Sequence, residues 1–122
     1  MGKHTQVGVI GSAVFAPRYP DRTSLEEALH AVAKSALRDA GLSIEEIDGI
    51  VVASCDQLDG RAIAIMAASG SVGGVGRDIL STPSSSEHAF VLAALRVRSG
   101  IYNTQLVVPM RACAALAVAP PR

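Results

Sequence analysis

Tryptophan is absent from this chain, and phenylalanine and tyrosine occur only twice each. With aromatics at 3%, the core must be built from Ala, Val, Ile and Leu, small side chains that suit close packing of helix on sheet. A stacking platform for single-stranded nucleic acid, which needs aromatic rings beside a basic groove, has no material here. Charge of one sign is lacking too: 11 Lys and Arg balance 11 Asp and Glu, a formal net charge of +0. No nucleic-acid partner is therefore expected. Cysteine is scarce. Cys55 and Cys113 make no metal-ligand or disulfide spacing, and free thiols fit a reducing, cytoplasmic compartment. No apolar run is long enough to span a bilayer and no basic-then-apolar leader is seen, so no membrane partner is expected. The 122 residues suffice for one domain with a modest core. An apolar fraction of 49% at zero net charge predicts poor solubility if part of the fold is missing.

What is present alternates between strand and helix signals. Gln6 to Val14 reads as a first strand whose Gly8 and Gly11 do not lead into a helix, so a dinucleotide fingerprint is disfavoured and close backbone packing is the better reading. Ala16 to Pro20 is a stiff two-proline loop. Ser24 with Glu27 forms a capping-box pair. Leu25, Ala28, Leu29, Val32, Ala36, Leu37 and Ala40 then recur at helical spacing up to Gly41. His30, on this helix, reads as a surface or boundary residue rather than a ligand. Ser43 to Glu46 starts one short turn. Ile47 to Ser54 is a continuous apolar strand of the kind covered on both faces. Cys55, at its end, reads first as a small buried hydrophobe. Asp59 is placed to cap a mostly apolar helix reaching about Ala68. The glycine-rich run Ser69 to Gly76 lacks the Lys-Ser/Thr of a phosphate loop and reads as a turn.

The stretch from Asp78 to Val108 organises the rest. Ile79 and Leu80 lead to Thr82-Pro83, and proline ends the strand by removing a backbone donor. Ser84 or Ser85 caps the next helix, and Ser84 with Glu87 fits a capping box. Ala89 to Val97 is apolar nearly all round, which predicts burial on several sides. Gly100 takes the C′ position, and Gln105 to Val108 reads as a buried strand. A helix N-terminus entered from a strand end presents unpaired N–H groups and a partial positive charge, and in open α/β sheets ligands sit at such ends. The plain alternative is that serines here are helix punctuation. His88, in the first turns, could polarise a substrate carbonyl or accept a proton; a histidine on an exposed first turn is also common.

This order of strand, small polar residues, buried helix, Arg-Ser-Gly and strand resembles the nucleophile region of the thiolase superfamily, and more narrowly the sterol carrier protein thiolase-type proteins. The resemblance covers Val7 to Val108. It implies an α/β, thiolase-like N-terminal half-domain: a layered mixed sheet with the first helix on one face and one buried central helix on the other. It also implies acyl-CoA as a thioester substrate, no further cofactor, and Claisen condensation or its reverse. Thiolases carry a nucleophilic cysteine at this helix N-terminus. The matching position here is Pro83, with Ser84 beside it, Ser85 at the serine of the motif and Ser86 in place of its glycine. A serine hydroxyl gains little from the helix field and needs a base, so thiolase chemistry is in doubt. By resemblance, Ser84, Ser85 and His88 line the catalytic pocket, and helix N–H groups stabilise an oxyanion.

Residues 109–122, with three prolines, read as an irregular tail whose composition is that of out-of-frame translation; residues 1–108 then form a truncated half-domain, inactive by itself. In thiolases two half-domains sandwich the central helix, so this chain would expose one apolar side of it and self-associate. A homodimer, a thiolase-like partner subunit and a zinc-ribbon/OB-fold companion are the partners that the resemblance suggests. A non-catalytic subunit and, more weakly, a flavodoxin-like nucleotide binder are the alternative functions.

Overall fold

In the computed structural model of the chain, the structure describes residues 6–15, 24–54, 64–83, 85–109 and 114–120. They form one five-stranded sheet with helices on both faces. In chain order the elements are β1 (Gly8–Val14), α1 (Leu25–Ala40), a single 3-10 turn (Ile44–Glu46), β2 (Gly49–Ala53), α2 (Ala64–Ser71), β3 (Asp78–Thr82), α3 (Ser86–Arg98), β4 (Gln105–Pro109) and β5 (Ala114–Ala119). The strand order is β1-β5-β4-β2-β3. β2 runs parallel to β3 and β4, whereas β5 is antiparallel to both β1 and β4. This is the layered mixed sheet expected. A flavodoxin-like fold is excluded, because its strands all run parallel.

The continuous apolar runs are central strands because both sheet faces are covered. All five residues of β2 and all five of β4 are buried. Their side chains alternate between two cores. Ile50, Val52, Leu106 and Val108 join Leu29, Val32, Ala36 and Leu37 of α1. Val51, Ala53 and Val107 join Ala89, Ala93 and Val97 of α3.

Local signals fix α1. The Ser24 hydroxyl accepts from the Glu27 N–H at 3.1 Å. Gly41, at φ 72, ends the helix as its N–H donates to the Arg38 carbonyl and the Leu42 N–H to that of Leu37. Gly11 explains how tightly α1 lies on β1: a Cβ there would stand 2.5 Å from the Ala36 carbonyl oxygen and 2.7 Å from Ala40 Cβ. The close-packing reading thus holds at Gly11, whereas Gly8 faces open space.

Two expectations need correction. The tail is not irregular throughout. Ala114–Ala119 is a strand inserted between β1 and β4. Its two faces differ in size: Ala115 belongs to the α1 core, Leu116 and Val118 to the α3 core. Alanine on the α1 side permits the same close helix approach as Gly11, and this disguises the period of two as mere alanine richness. Pro109 and Pro120 bracket the strand without interrupting it. The second helix, expected to reach about Ala68, is described from Ala64 and ends at Ser71; Cys55, Asp59 and Cys113 lie outside the described residues. Of the glycine-rich run expected to be a turn, Ser69–Ser71 end the second helix and the turn follows from Val72, with Gly73 at φ 80 and Gly76 at φ 77; the Arg77 guanidinium donates to the Gly73 carbonyl at 3.0 Å.

Burial of α3 is one-sided. Ala89, Ala93 and Val97, one turn apart, are fully buried against β2 and β4, while Val91 and Leu95 are about half exposed at 51% and 55%. The exposed side is the one that the sequence predicts for this half-domain standing alone.

Candidate functional site

The three parallel strands finish level: Ala53 pairs with Thr82 and with Pro109. Pro83 stops β3, and α3 begins at Ser86, so the N-terminal end of a 13-residue helix stands over these strand ends. Beneath it lies a small polar floor. The Ser54 N–H donates to the Thr82 carbonyl at 3.0 Å, extending the β2–β3 pairing by one step. Ser54 and Ser81 hydroxyls approach to 3.4 Å. Ser54 and Thr82 are buried. Sequence reasoning passed over both; their place directly after apolar strand runs, where ligands collect in such sheets, was the available signal.

Ser85 is the helix N-cap, yet its side chain makes no capping bond. The Ser84–Glu87 capping box is therefore not the observed arrangement: with Ser85 as cap, His88 and not Glu87 stands three residues on. Ser84 lies outside the described residues. The Ser85 hydroxyl stands 3.4 Å from His88 Nδ1, and both residues are exposed. That distance exceeds the about 2.6–3.2 Å at which a base takes a nucleophile's proton.

Glu87 stands in the same first turn. Its carboxyl is held below the usual glutamate range, first by the Ser85 hydroxyl and then by its own backbone N–H, with burial opposing and His88 contributing least. A carboxylate in this first turn also takes up the favourable field of the helix end, which an incoming oxyanion would need. The site thus brings Ser85 and His88 to 3.4 Å of one another, with the carboxylate of Glu87, which the sequence reading left out, in the same first turn. Among the described residues, no three His, Cys, Asp or Glu side chains converge as metal ligands.

At the opposite end of the sheet, Arg96 forms an ion pair of 3.0 Å with Asp78 and lies over the Tyr102 ring at 4.2 Å, and the Tyr102 hydroxyl donates to Asp78. These contacts clamp the C-terminal end of α3 to the start of β3. The helix is thereby fixed at the end remote from the site.

No protein-family profile matches the chain. Over 91 residues, 73% of its length, it is 36% identical to the beta-ketoacyl-acyl-carrier-protein synthase III of Synechococcus elongatus, and equally to that of a second Synechococcus strain. The matched stretch is only 27% of those relatives. The crystal structure of 3-oxoacyl-acyl-carrier-protein synthase III from Aquifex aeolicus superposes with a TM-score of 0.78 at 17% identity, covering 96% of this chain and 55% of that one. Xanthomonas campestris OleA with bound lauric acid and lauroyl-CoA gives 0.74 at 15% identity, covering 96% and 57%. The fold is thus thiolase-like, as the sequence suggests, and the chain is homologous to the N-terminal part of a beta-ketoacyl-acyl-carrier-protein synthase III. These relatives are condensing enzymes rather than the sterol carrier protein thiolases of the narrower resemblance.

Proposed function

We propose that this homologue of the N-terminal part of a beta-ketoacyl-acyl-carrier-protein synthase III is a fragment of a thiolase-like acyltransferase that holds an acyl thioester at the N-terminal end of α3 and forms no acyl-enzyme by itself. The observation that carries this is the composition of that helix end: a proline and serines where the resemblance expects a thiolate, with the Ser85 hydroxyl 3.4 Å from His88 Nδ1. Attack by Ser85 on a thioester carbonyl would require its proton to pass to His88 Nδ1 as the C–O bond forms, and then expulsion of the CoA thiolate. The Ser85–His88 separation of 3.4 Å is longer than such a transfer needs, about 2.6–3.2 Å. Ser84, Ser85 and His88 act here as pocket-lining groups, and first-turn N–H groups as donors to the thioester oxygen. Claisen condensation, or its reverse, belongs to the complete catalytic arrangement of a condensing enzyme, with acyl-CoA as the thioester.

The same reading includes homodimerisation and a cytoplasmic location. Among the described residues β3 is an edge strand of the sheet, and such an edge favours a self-paired sheet. A thiolase-like partner subunit or a zinc-ribbon/OB-fold companion rests on the resemblance alone.

Titration calorimetry with octanoyl-CoA tests the binding claim. Saturable binding is expected, and Glu87→Gln, which removes the competing anion, is expected to tighten it. Unchanged or weaker binding by Glu87→Gln would show that the carboxylate does not occupy the thioester position.

A further inference from the structure

A second concave surface lies on the other side of the sheet, between α1 and the turn that follows α2. It is a groove of about 510 Å³, within the usual size range of small-ligand sites, about 300–1,000 Å³. Leu37, Ile44 and Val72 give it an apolar floor. Along one rim run His30, Lys34 and Arg38, each four residues after the last and so stacked on one helix face. His30 Nδ1 donates to the Ser71 carbonyl at 3.1 Å, tying α1 to the end of α2 and holding the groove's width. Lys34 and Arg38 are exposed, and neither is in an ion pair among the described residues. Two unpaired cations beside an apolar floor complement a molecule that is apolar along its length and anionic at one end.

We infer that this groove binds a single-chain carboxylate amphiphile, its alkyl tail over Leu37, Ile44 and Val72 and its carboxylate between Lys34 and Arg38. Arg38 offers a planar fork matched to a carboxylate, and Lys34 a point charge beside it. The single negative charge follows from a carboxylate in the same lining. Glu45 lines the groove too, its carboxyl lowered by its own backbone N–H first and then by the Ser43 hydroxyl. It stays ionised at neutral pH and repels a dianion more strongly than a monoanion. The tail has room at Gly70, where an added Cβ would meet nothing within 4 Å. The turn packs closely on Ile44, since a Cβ on Gly73 would stand 2.7 Å from Ile44 Cδ1.

The test is calorimetric titration of the full chain with sodium octanoate, with octan-1-ol as the uncharged counterpart. Octanoate should bind saturably at one site, and octan-1-ol at least about tenfold more weakly, the scale of one lost charge-assisted contact. The Lys34→Ala/Arg38→Ala double variant should lose at least about the same factor for octanoate and nothing for octan-1-ol. Gly70→Leu, placed in open helical space, should fill the groove and abolish both, while leaving octanoyl-CoA binding at α3 intact; that difference separates failure here from failure of the thioester reading. Circular dichroism melts verify that each variant is folded. Equal affinity for octanoate and octan-1-ol, an unaffected double variant, or absence of octanoate binding would each overturn the assignment. So would an octaglutamate peptide that binds the groove when octanoate does not.

Discussion

Gly11→Ala reads the α1–β1 contact directly. The added Cβ would stand 2.5 Å from the Ala36 carbonyl oxygen and 2.7 Å from both Ala40 Cβ and Ala40 N. Carbon atoms pack best at about 3.5–4.0 Å, so the contact is short by about an ångström. Backbone atoms dominate it, and no side-chain rotation relieves it. Relief requires α1 to rise from the sheet, loosening Leu29, Val32 and Ala36 from the core they share with β2 and β4. Overpacking of this kind costs about 1–3 kcal/mol, and a backbone clash places it near the top of that range. Alanine also restricts the unfolded chain, which returns about 0.4–1 kcal/mol. The net loss is about 2 kcal/mol. With a urea slope of about 1–3 kcal/mol/M for a small protein, the midpoint should fall by about 1 M at unchanged slope. Gly8→Ala is the control: it faces open space and should gain slightly, by up to about 1 kcal/mol. Equal midpoints for the two variants would refute the packing argument.

The two serine caps should differ. Ser24→Ala removes a capping hydrogen bond of 3.1 Å and should cost about 1 kcal/mol in a urea titration. Ser85→Ala removes no such bond, so its midpoint should barely move, while the Glu87 carboxyl returns upward toward the ordinary range in a carbon-13 NMR titration. Asp78 is held below the usual aspartate range, first by the Tyr102 hydroxyl and then by Arg96, with burial opposing. Its folded pKa lies under its unfolded value, so its contribution is complete above about pH 4 and is lost as pH falls through the lower folded value. Tyr102→Phe should raise that carboxyl and flatten the acid limb of the stability curve; an unaltered titration would remove Tyr102 from the account. Val91→Glu with Leu95→Glu, on the exposed side of α3, should reduce self-association in sedimentation velocity.

The elements most legible in the sequence were those whose signal is local. Ser24, Gly41 and Gly100 punctuate helices through their own backbone requirements, and Ile50 to Ala53 is uniformly apolar because both sheet faces are covered. β5 was hidden because its periodicity is carried by alanine against leucine and valine, a contrast of size rather than polarity, set by how closely α1 approaches. At the site, Ser85 and His88 were visible as residues three apart at a helix start. The length of their contact, 3.4 Å, was not, because it depends on rotamers that spacing does not encode. Ser54 and Thr82 depend on where strands end relative to one another, a consequence of the sheet register.

Intact-mass spectrometry of the folded chain after incubation with octanoyl-CoA, with free CoA thiol measured in the same sample, tests the central claim. Binding with no mass gain of an octanoyl group and no CoA release is the predicted result. An acyl adduct on the unaltered chain with matching CoA release, lost in Ser85→Ala and in His88→Ala, would contradict it: the serine would then be an activated nucleophile despite its 3.4 Å separation from His88.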